Sequence, residues 1–452
     1  MNSVEKPIVS VAGLRGIVGK SFTPEIIVPY IAAFADMLTR KRVVVGGDSR
    51  PSREWAQPVV ESVLRARGVE VISIGLAPTP TVGMMVRHFK AGGGIAITAS
   101  HNPSEWNGLK FFHSKGEFLT PQHHHRLVEL MKHPKTSTKA ARVGKYTASN
   151  EAVEAHLETL LTHLGPLLPA RKRKLRIVLD CCNGAGSILA PLVATAFKST
   201  AEIIFNNPGR TFPRGAEPLP ENLKALTREV KLVGADFGAA LDPDADRLAL
   251  VDENGQPIGE ERTLLLAADA YLAATGEKTP LAVNLSTSQA IDALAKKYGT
   301  TVTRTKIGEA HVLAGMKRAG ATIGGEGNGG VILPAVHPGR DAATALALIL
   351  IGLHVRRTKT LSAWNSEFPD FVMVKTKVAL GSIPLRRTIQ RAKSIFRDAV
   401  KIDETDGVKF VFADSFLHLR PSGTEPIIRI FVEAPDKLMA AQLLKQLNAV
   451  LA

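Results

Sequence analysis

A strand–helix–strand–helix–strand plan recurs three times along the chain, and that recurrence restricts the folds open to it more than any other feature. The first copy has a strand at Val43-Val-Val45 ending in Asp48-Ser49, a helix over 51–67, a second strand over 69–74 and a third that ends at Ser100. In the second copy a strand over 176–179 runs into Asp180-Cys-Cys-Asn-Gly-Ala-Gly-Ser187 and a helix. Strands over 201–205 and 238–241 follow, the last ending at Asp242. The third copy starts at 281–284, with Ser286-Thr-Ser288 capping a helix, and passes through 301–303 to Ala321-Thr-Ile-Gly-Gly-Glu326. Strands alternating with helices require right-handed crossovers and mainly parallel sheets. A period of roughly 100 to 140 residues means similar α/β domains, not a solenoid. After about residue 358 the pattern changes to a strand over 371–376, a helix over 385–399, strands over 407–412, 415–419 and 427–433, and a last helix. The expectation is three similar α/β domains with mainly parallel mixed sheets, over 1–150, 151–255 and 256–368, and a C-terminal α+β lid domain over 369–452.

Bulk properties set limits on partners and compartment. The chain has 452 residues, and 45% apolar content is enough to give each domain a core. No apolar run reaches bilayer-spanning length and residues 1–6 lack a signal peptide's apolar segment, so a cytoplasmic location is expected. The only cysteines, Cys181 and Cys182, are adjacent, which is poor geometry for a disulfide and fits a reducing compartment. The formal charge of +15 and the run Arg171-Lys-Arg-Lys174 raise the question of nucleic acid. That run directly precedes an apolar strand and aromatics are only 5%, so a solvated edge is the reading, with no nucleic acid and no membrane as partners. A positive field serves equally to attract a small phosphorylated substrate.

In each copy the last strand ends in a chemically distinctive loop, where open α/β sheets bind ligands. The turn Thr98-Ala-Ser-His-Asn-Pro103 presents Ser100 beside His101 and Asn102, an alcohol in need of activating neighbours. Asp242-Pro-Asp-Ala-Asp-Arg247 sets carboxylates at alternate positions, where they converge and require a cation, and hard oxygen ligands point to Mg²⁺. An EF-hand is excluded despite Glu253 at the twelfth position, because Arg247 occupies the sixth and the flanks read as strands. Gly325-Glu-Gly-Asn-Gly-Gly330 nominally fits a dinucleotide fingerprint, but the strand-like Val331-Ile-Leu-Pro334 follows it where a helix is needed. Glu326 and Asn328 could instead hydrogen-bond sugar hydroxyls. Arg420-Pro-Ser-Gly-Thr424 has the equipment of a phosphate nest. Gly13-Leu-Arg-Gly-Ile-Val-Gly-Lys-Ser21 misses a P-loop at Leu14, and the helix starts only at Thr23-Pro24, so Arg15 reads as a cation aimed at a phosphate. Lys110 and Lys306 are candidate acid/base or phosphate-contacting groups, whereas His123-His-His125 reads as a solvated helix end.

Taken in order, the loops at 98–103, 107–110, 242–247, 325–329 and 420–424 resemble those of the α-D-phosphohexomutase superfamily across essentially the whole chain. The resemblance implies a four-domain, heart-shaped architecture and phosphoryl transfer between O6 and O1 of a hexose phosphate through a phosphoserine and a hexose 1,6-bisphosphate. It implies Ser100 as the phosphoserine and Asp242, Asp244 and Asp246, with the Ser100 phosphate, as Mg²⁺ ligands. Arg15, Lys110 and Arg247 would surround the reacting phosphoryl group, Glu326 and Asn328 contact the sugar, and Arg420, Ser422, Gly423 and Thr424 clamp the distal phosphate. Beside these, His101 is a catalytic candidate next to the serine, and Lys110 and Lys306 are the candidates for proton handling. Asn328, Gly330 and Glu309, where other members carry Ser, His and His, lean toward the phosphoglucosamine mutase branch, with glucose or mannose phosphates as the alternative. A phosphatase and a non-enzymatic basic binding protein are the rival classes, and a monomer or homodimer is expected.

Overall fold

Val43, Val44 and Val45 are all fully buried because their strand is covered on both faces. Val43 and Val45 join a core with Val71, Ile95, Ile97 and the helix Pro24–Met37, while Val44 joins another with Ile72, Ile74, Ala96 and the helix Thr79–His88. Strands buried on two sides read as unbroken apolar runs, which is why they were visible in the sequence. The computed structural model of the chain describes residues 6–132, 142–356, 359–379, 385–421 and 427–451.

The repeated plan is present in each copy. Arg42–Gly47 lies between Glu70–Leu76 and Gly93–Ile97 and is parallel to both. Leu175–Asp180 lies in the same way between Ser199–Ile204 and Phe237–Leu241, and Leu281–Asn284 between Val302–Thr305 and Ile323–Glu326. The third strand of each copy therefore always sits beside the first, with its carboxyl end leading into a loop the sequence singled out.

Antiparallel strands complete the sheets. Trp106–His113 pairs with Gly93–Ile97 and with Gly13–Ile17, so Arg15 stands on a strand opposite Gly108, and not on a free loop. Leu248–Asp252 pairs with Phe237–Leu241, which makes the acidic loop the turn of a β-hairpin. The third strand of the first copy ends at Ile97, three positions before the serine, which belongs to the following turn. The C-terminal sheet is wholly antiparallel, in the order Val372–Ala379, Ile427–Ala434, Phe416–Pro421, Val408–Val411, Lys401–Asp403. No described helix is long and apolar enough to cross a membrane.

The chain forms two compact units, one of residues 1–275 and 328–362, the other of 276–327 and 363–452. Within the first, the helix Ala342–Val355 is apolar all round and packs on the helices Glu260–Thr275 and Gly186–Ala196, as an enclosed helix must. Its N-cap is Asp341, whose carboxylate accepts from the backbone N–H groups of Ala343 and Thr344. The same carboxylate meets Nε2 of the fully buried His156 at 3.1 Å, and His156 Nδ1 meets the Thr81 hydroxyl at 2.8 Å. One side chain thus caps a core helix and ties in two others.

Removing that side chain orphans both the helix end and a buried imidazole. Asp341→Ala should cost about 3 kcal/mol in all, read by calorimetry as a midpoint several degrees lower. An unmoved midpoint would show that the cap and the imidazole contact contribute nothing.

Candidate active site

Ser100 is buried and holds φ at +54°, a left-handed conformation that a non-glycine residue keeps only when its surroundings enforce it. The enforcement is a hydrogen-bonded scaffold beneath the turn. The Ser100 N–H donates to Thr98 Oγ1 at 2.8 Å, and the Thr98 hydroxyl donates to Asp48 Oδ2 at 2.5 Å. Arg50 pairs with that same Asp48 oxygen through Nε at 3.1 Å, and both side chains are fully buried. The rest of its guanidinium donates to the carbonyls of Ser100 (2.6 Å), Asn102 (2.7 Å) and Pro103 (2.8 Å), and the Phe212 ring covers it at 4.8 Å. Sequence reasoning missed Arg50. The available signal was a charged residue two positions after an acid at the end of a fully apolar strand, where neither charge could remain unpaired.

The acidic hairpin turn is folded by its own first carboxylate. Asp242 Oδ1 accepts from the N–H groups of Asp246 at 3.0 Å and Arg247 at 3.1 Å, and Ala245 takes φ of +54° to close the turn. Asp244 Oδ2 accepts from Lys110 Nζ at 2.6 Å and from the Thr79 hydroxyl. Asp246 Oδ2 accepts from Lys110 Nζ at 3.1 Å and from Arg340 Nη2 at 2.8 Å. Each of the three aspartates is left with one buried oxygen that has no hydrogen-bond partner: Asp242 Oδ2, Asp244 Oδ1 and Asp246 Oδ1. One ligand oxygen from each lies within 4.8 Å of the other two. Three buried carboxylates this close together, each with an unsatisfied oxygen, fit a hard divalent cation.

The charges make the same point. Burial pushes the Asp242 carboxyl well above its usual range, reinforced by the charges of Asp246 and Asp244. Burial acts the same way on Asp246, but Arg340, Lys110 and Arg247 outweigh it and hold that carboxyl below the carboxylate range. Burial alone would lower the Lys110 ammonium, yet Asp244 and Asp246 raise it, so Lys110 stays charged.

Cations line the space above the serine. Arg15, Ser100, His101, Lys110, Arg247 and Arg340 border a cavity of about 140 Å³. Arg15 Nη1 donates to Asn102 Oδ1 at 2.8 Å, and Arg247 Nη1 to Glu217 Oε1 at 3.2 Å. His101 Nδ1 is 3.4 Å from Ser100 Oγ, and burial, with Arg247 and Arg15 nearby, keeps the ring neutral by holding its pKa well below normal. The first unit thus brings together Arg15, Ser100, His101, Lys110, Asp242, Asp244, Asp246 and Arg247. It also contains Asn328, whose Oδ1 accepts from the Gly330 N–H at 3.2 Å.

The second unit carries Lys306, Glu326 and Arg420. Glu326 Oε1 accepts from Asn284 Nδ2 at 3.0 Å and the Gly308 N–H at 2.9 Å. Asp406 Oδ2 accepts from the Ile307 N–H at 2.9 Å and Arg420 Nε at 2.8 Å, joining the turn that bears Lys306 to the arginine. Asp406 is a second residue the sequence did not reveal. Ser422, Gly423 and Thr424 lie outside the described residues. In the Ser286-Thr-Ser288 run only Ser288 acts at the helix start, accepting from the Ala290 N–H at 3.1 Å, while the Ser286 hydroxyl meets His418 Nδ1 at 2.8 Å. The glycine-rich stretch after Glu326 leads to the strand Gly330–Leu333 and not to a helix, which removes the dinucleotide reading.

Comparison with known proteins agrees over nearly the whole chain. The phosphoglucomutase/phosphomannomutase α/β/α domains I, II and III match residues 6–138, 154–255 and 260–371, and the C-terminal domain of that family matches 373–450. The phosphoglucomutase/phosphomannomutase of Thermococcus kodakarensis is 36% identical over 440 residues, covering 96% of each chain. A probable phosphoglucosamine mutase of Methanopyrus kandleri is 34% identical over 436 residues, covering 96% of this chain and 95% of that one. A putative phosphomannomutase from Thermus thermophilus shares the fold with a TM-score of 0.83 at 24% identity, covering 99% of each chain. More distantly, at TM-score 0.58 and 15% identity, so does Aspergillus fumigatus N-acetylphosphoglucosamine mutase, solved in complex with GlcNAc-6P and magnesium, covering 100% of this chain and 96% of that one. The chain belongs to the phosphoglucomutase/phosphomannomutase family, enzymes of the phosphohexomutase type that shift a phosphoryl group between positions of a hexose.

Proposed function

We propose that the chain interconverts glucosamine 6-phosphate and glucosamine 1-phosphate through phosphorylated Ser100 and a bisphosphorylated sugar. The observation that carries this reading is the set of orphaned carboxylate oxygens in the turn of Asp242, Asp244 and Asp246, in the same unit as a strained serine and a cation-lined cavity. Asp242, Asp244 and Asp246 would hold Mg²⁺, the ion found with the Aspergillus relative. When bound, it supplies Lewis-acid charge stabilisation at the phosphoryl group.

The chain's own residues do the rest. A free sugar hydroxyl attacks phosphorus as the Ser100 Oγ–P bond breaks, and the hydroxyl proton passes to Ser100 Oγ. The neutral His101 ring, next to that oxygen, is better suited to relay the proton than Lys110, whose ammonium is held charged by two carboxylates. Lys110, Arg15 and Arg247 offset charge on the transferring group. The bisphosphate then turns end for end and returns its other phosphate to Ser100. Asp406 fixes the Arg420 guanidinium, which supports a phosphate-holding role for Arg420 together with Ser422, Gly423 and Thr424. Glu326 and Asn328 are the proposed sugar contacts, and Lys306, whose turn is pinned by Asp406, is a proposed phosphate contact.

Glucosamine is favoured by Asn328 and Gly330 in the sugar loop and by the Methanopyrus relative. The second reading, glucose or mannose phosphates, is favoured by the Thermococcus relative. Comparing kcat/KM on the three sugar 1-phosphates decides between them. The glucosamine ester should give the highest value, and a higher one for glucose or mannose transfers the assignment.

Ser100→Ala should lower mutase turnover by at least ~10³-fold with an unchanged melting temperature, and normal turnover would remove the phosphoserine. Asp242→Asn should cost about tenfold or more in Mg²⁺-dependent activity, and the parent should be inactive in chelator. Full activity in chelator would eliminate the metal from this reading.

A further inference from the structure

Asp246 takes part of its geometry from a side chain 94 residues further along the chain. Arg340 ends the strand His337–Arg340, which pairs antiparallel with Gly330–Leu333 and places Ile332 opposite Arg340. From there its side chain runs back over Gly330 to reach Asp246 Oδ2. A methyl group on Gly330 would stand 2.2 Å from Arg340 Cδ and 2.8 Å from Cγ, a clash with the middle of the side chain and not with its movable tip. The tip is pinned in any case, with Nη2 2.8 Å from the carboxylate and the arginine side chain only 10% exposed. Gly330 is absent from the positive-φ positions, so its backbone does not demand glycine. Space for the arginine is what demands it.

Asp246 Oδ2 is therefore held from two directions, by Lys110 from the strand Trp106–His113 and by Arg340 from the strand His337–Arg340. Fixing one oxygen of a carboxylate fixes the other, and here the other is Oδ1, which has no hydrogen-bond partner and has Arg247 Nε 3.7 Å away. The backbone adds a second tie between the same segments, since the Ala342 N–H donates to the Ala245 carbonyl at 3.2 Å. We propose that Arg340 is a positioning residue that aims the non-hydrogen-bonded oxygen of Asp246 at the metal, and that Gly330 is its partner, kept bare so that the side chain can cross. This rests on the reading of Asp242, Asp244 and Asp246 as metal ligands.

The sign of the effect on metal binding separates this role from a plain charge effect. A cation acting only through its charge repels a dication, so its removal would tighten metal binding. A group that orients a ligand does the opposite, and its loss loosens binding by about tenfold or more. Mn²⁺ binding to the full-length protein, measured as free ion by electron paramagnetic resonance, reads this without turnover. Arg340→Met should raise the Mn²⁺ Kd about tenfold, and Arg340→Lys should recover part of the loss. Gly330→Ala should match Arg340→Met, and the double variant should bind no worse than either single one, because both remove the same contact. Unchanged or tighter binding by Arg340→Met overturns the proposal, as do effects of Gly330→Ala and Arg340→Met that multiply. Melting curves accompany each variant, and if Gly330→Ala does not fold, the Arg340 variants decide alone. Parent protein that fails to bind Mn²⁺, or an Asp242→Asn variant that binds it as well as the parent, overturns the metal reading and this role of Arg340 with it, whereas metal binding lost in Asp242→Asn but kept in Arg340→Met overturns the role alone.

Discussion

Like charges packed together away from water are the constraint around which the first unit is built. Asp242, Asp244 and Asp246 are almost wholly inaccessible to solvent, and an isolated buried carboxylate is too costly to remain ionised. Lys110 and Arg340 reach them from separate strands, Arg247 from the turn itself, and the backbone of the turn satisfies one oxygen of Asp242. One oxygen of each aspartate is still left without a hydrogen bond. A structural ion-pair network would close those gaps, whereas a site for an added cation keeps them open.

The serine turn solves a different problem with similar means. Its left-handed residue and tight course leave carbonyl groups turned inward, and a buried guanidinium collects three of them. Apart from its ion pair with Asp48, Arg50 holds the turn through backbone carbonyls, so its grip does not depend on the Ser100 side chain. In the second unit polar groups are buried in the same manner. The Lys409 ammonium donates to the Leu285 carbonyl at 2.7 Å and lies 3.6 Å above the Phe416 ring, and burial lowers its pKa well below normal. With the Ser286–His418 contact, it ties the loop after Leu281–Asn284 to the C-terminal sheet.

What the sequence disclosed and what it withheld follow from the range of the interactions involved. The repeated copies were readable because doubly covered strands such as Val43-Val-Val45 are apolar without interruption, and because the loops that matter are contiguous. The strands Ile8–Ser10 and Gly13–Ile17 went unread because the first is only three residues long and evenly half-buried, and the second has glycine at 13 and 16 where β-favouring side chains would mark a strand. Lys401–Asp403 is short, edge-placed and charged, as edge strands are when they must avoid pairing with other chains. Arg50, Arg340 and Asp406 share one reason for being missed: each works through groups far from it in sequence, and a single arginine or aspartate in a row of letters does not name its partner. Gly330 was noticed as a departure from relatives, but its cause needed the path of Arg340 in space.

The order in which the polypeptide is made adds a further consequence to the Arg340–Asp246 pairing. A ribosome delivers the aspartate turn first and the arginine 94 residues later. During that interval the repulsion within the nascent hairpin is relieved by Lys110 and Arg247 without Arg340. The turn's own Asp242 contacts need nothing further along the chain, but Asp246 gains its arginine only once residues 330–342 have emerged, so a fragment truncated before them would lack that contact.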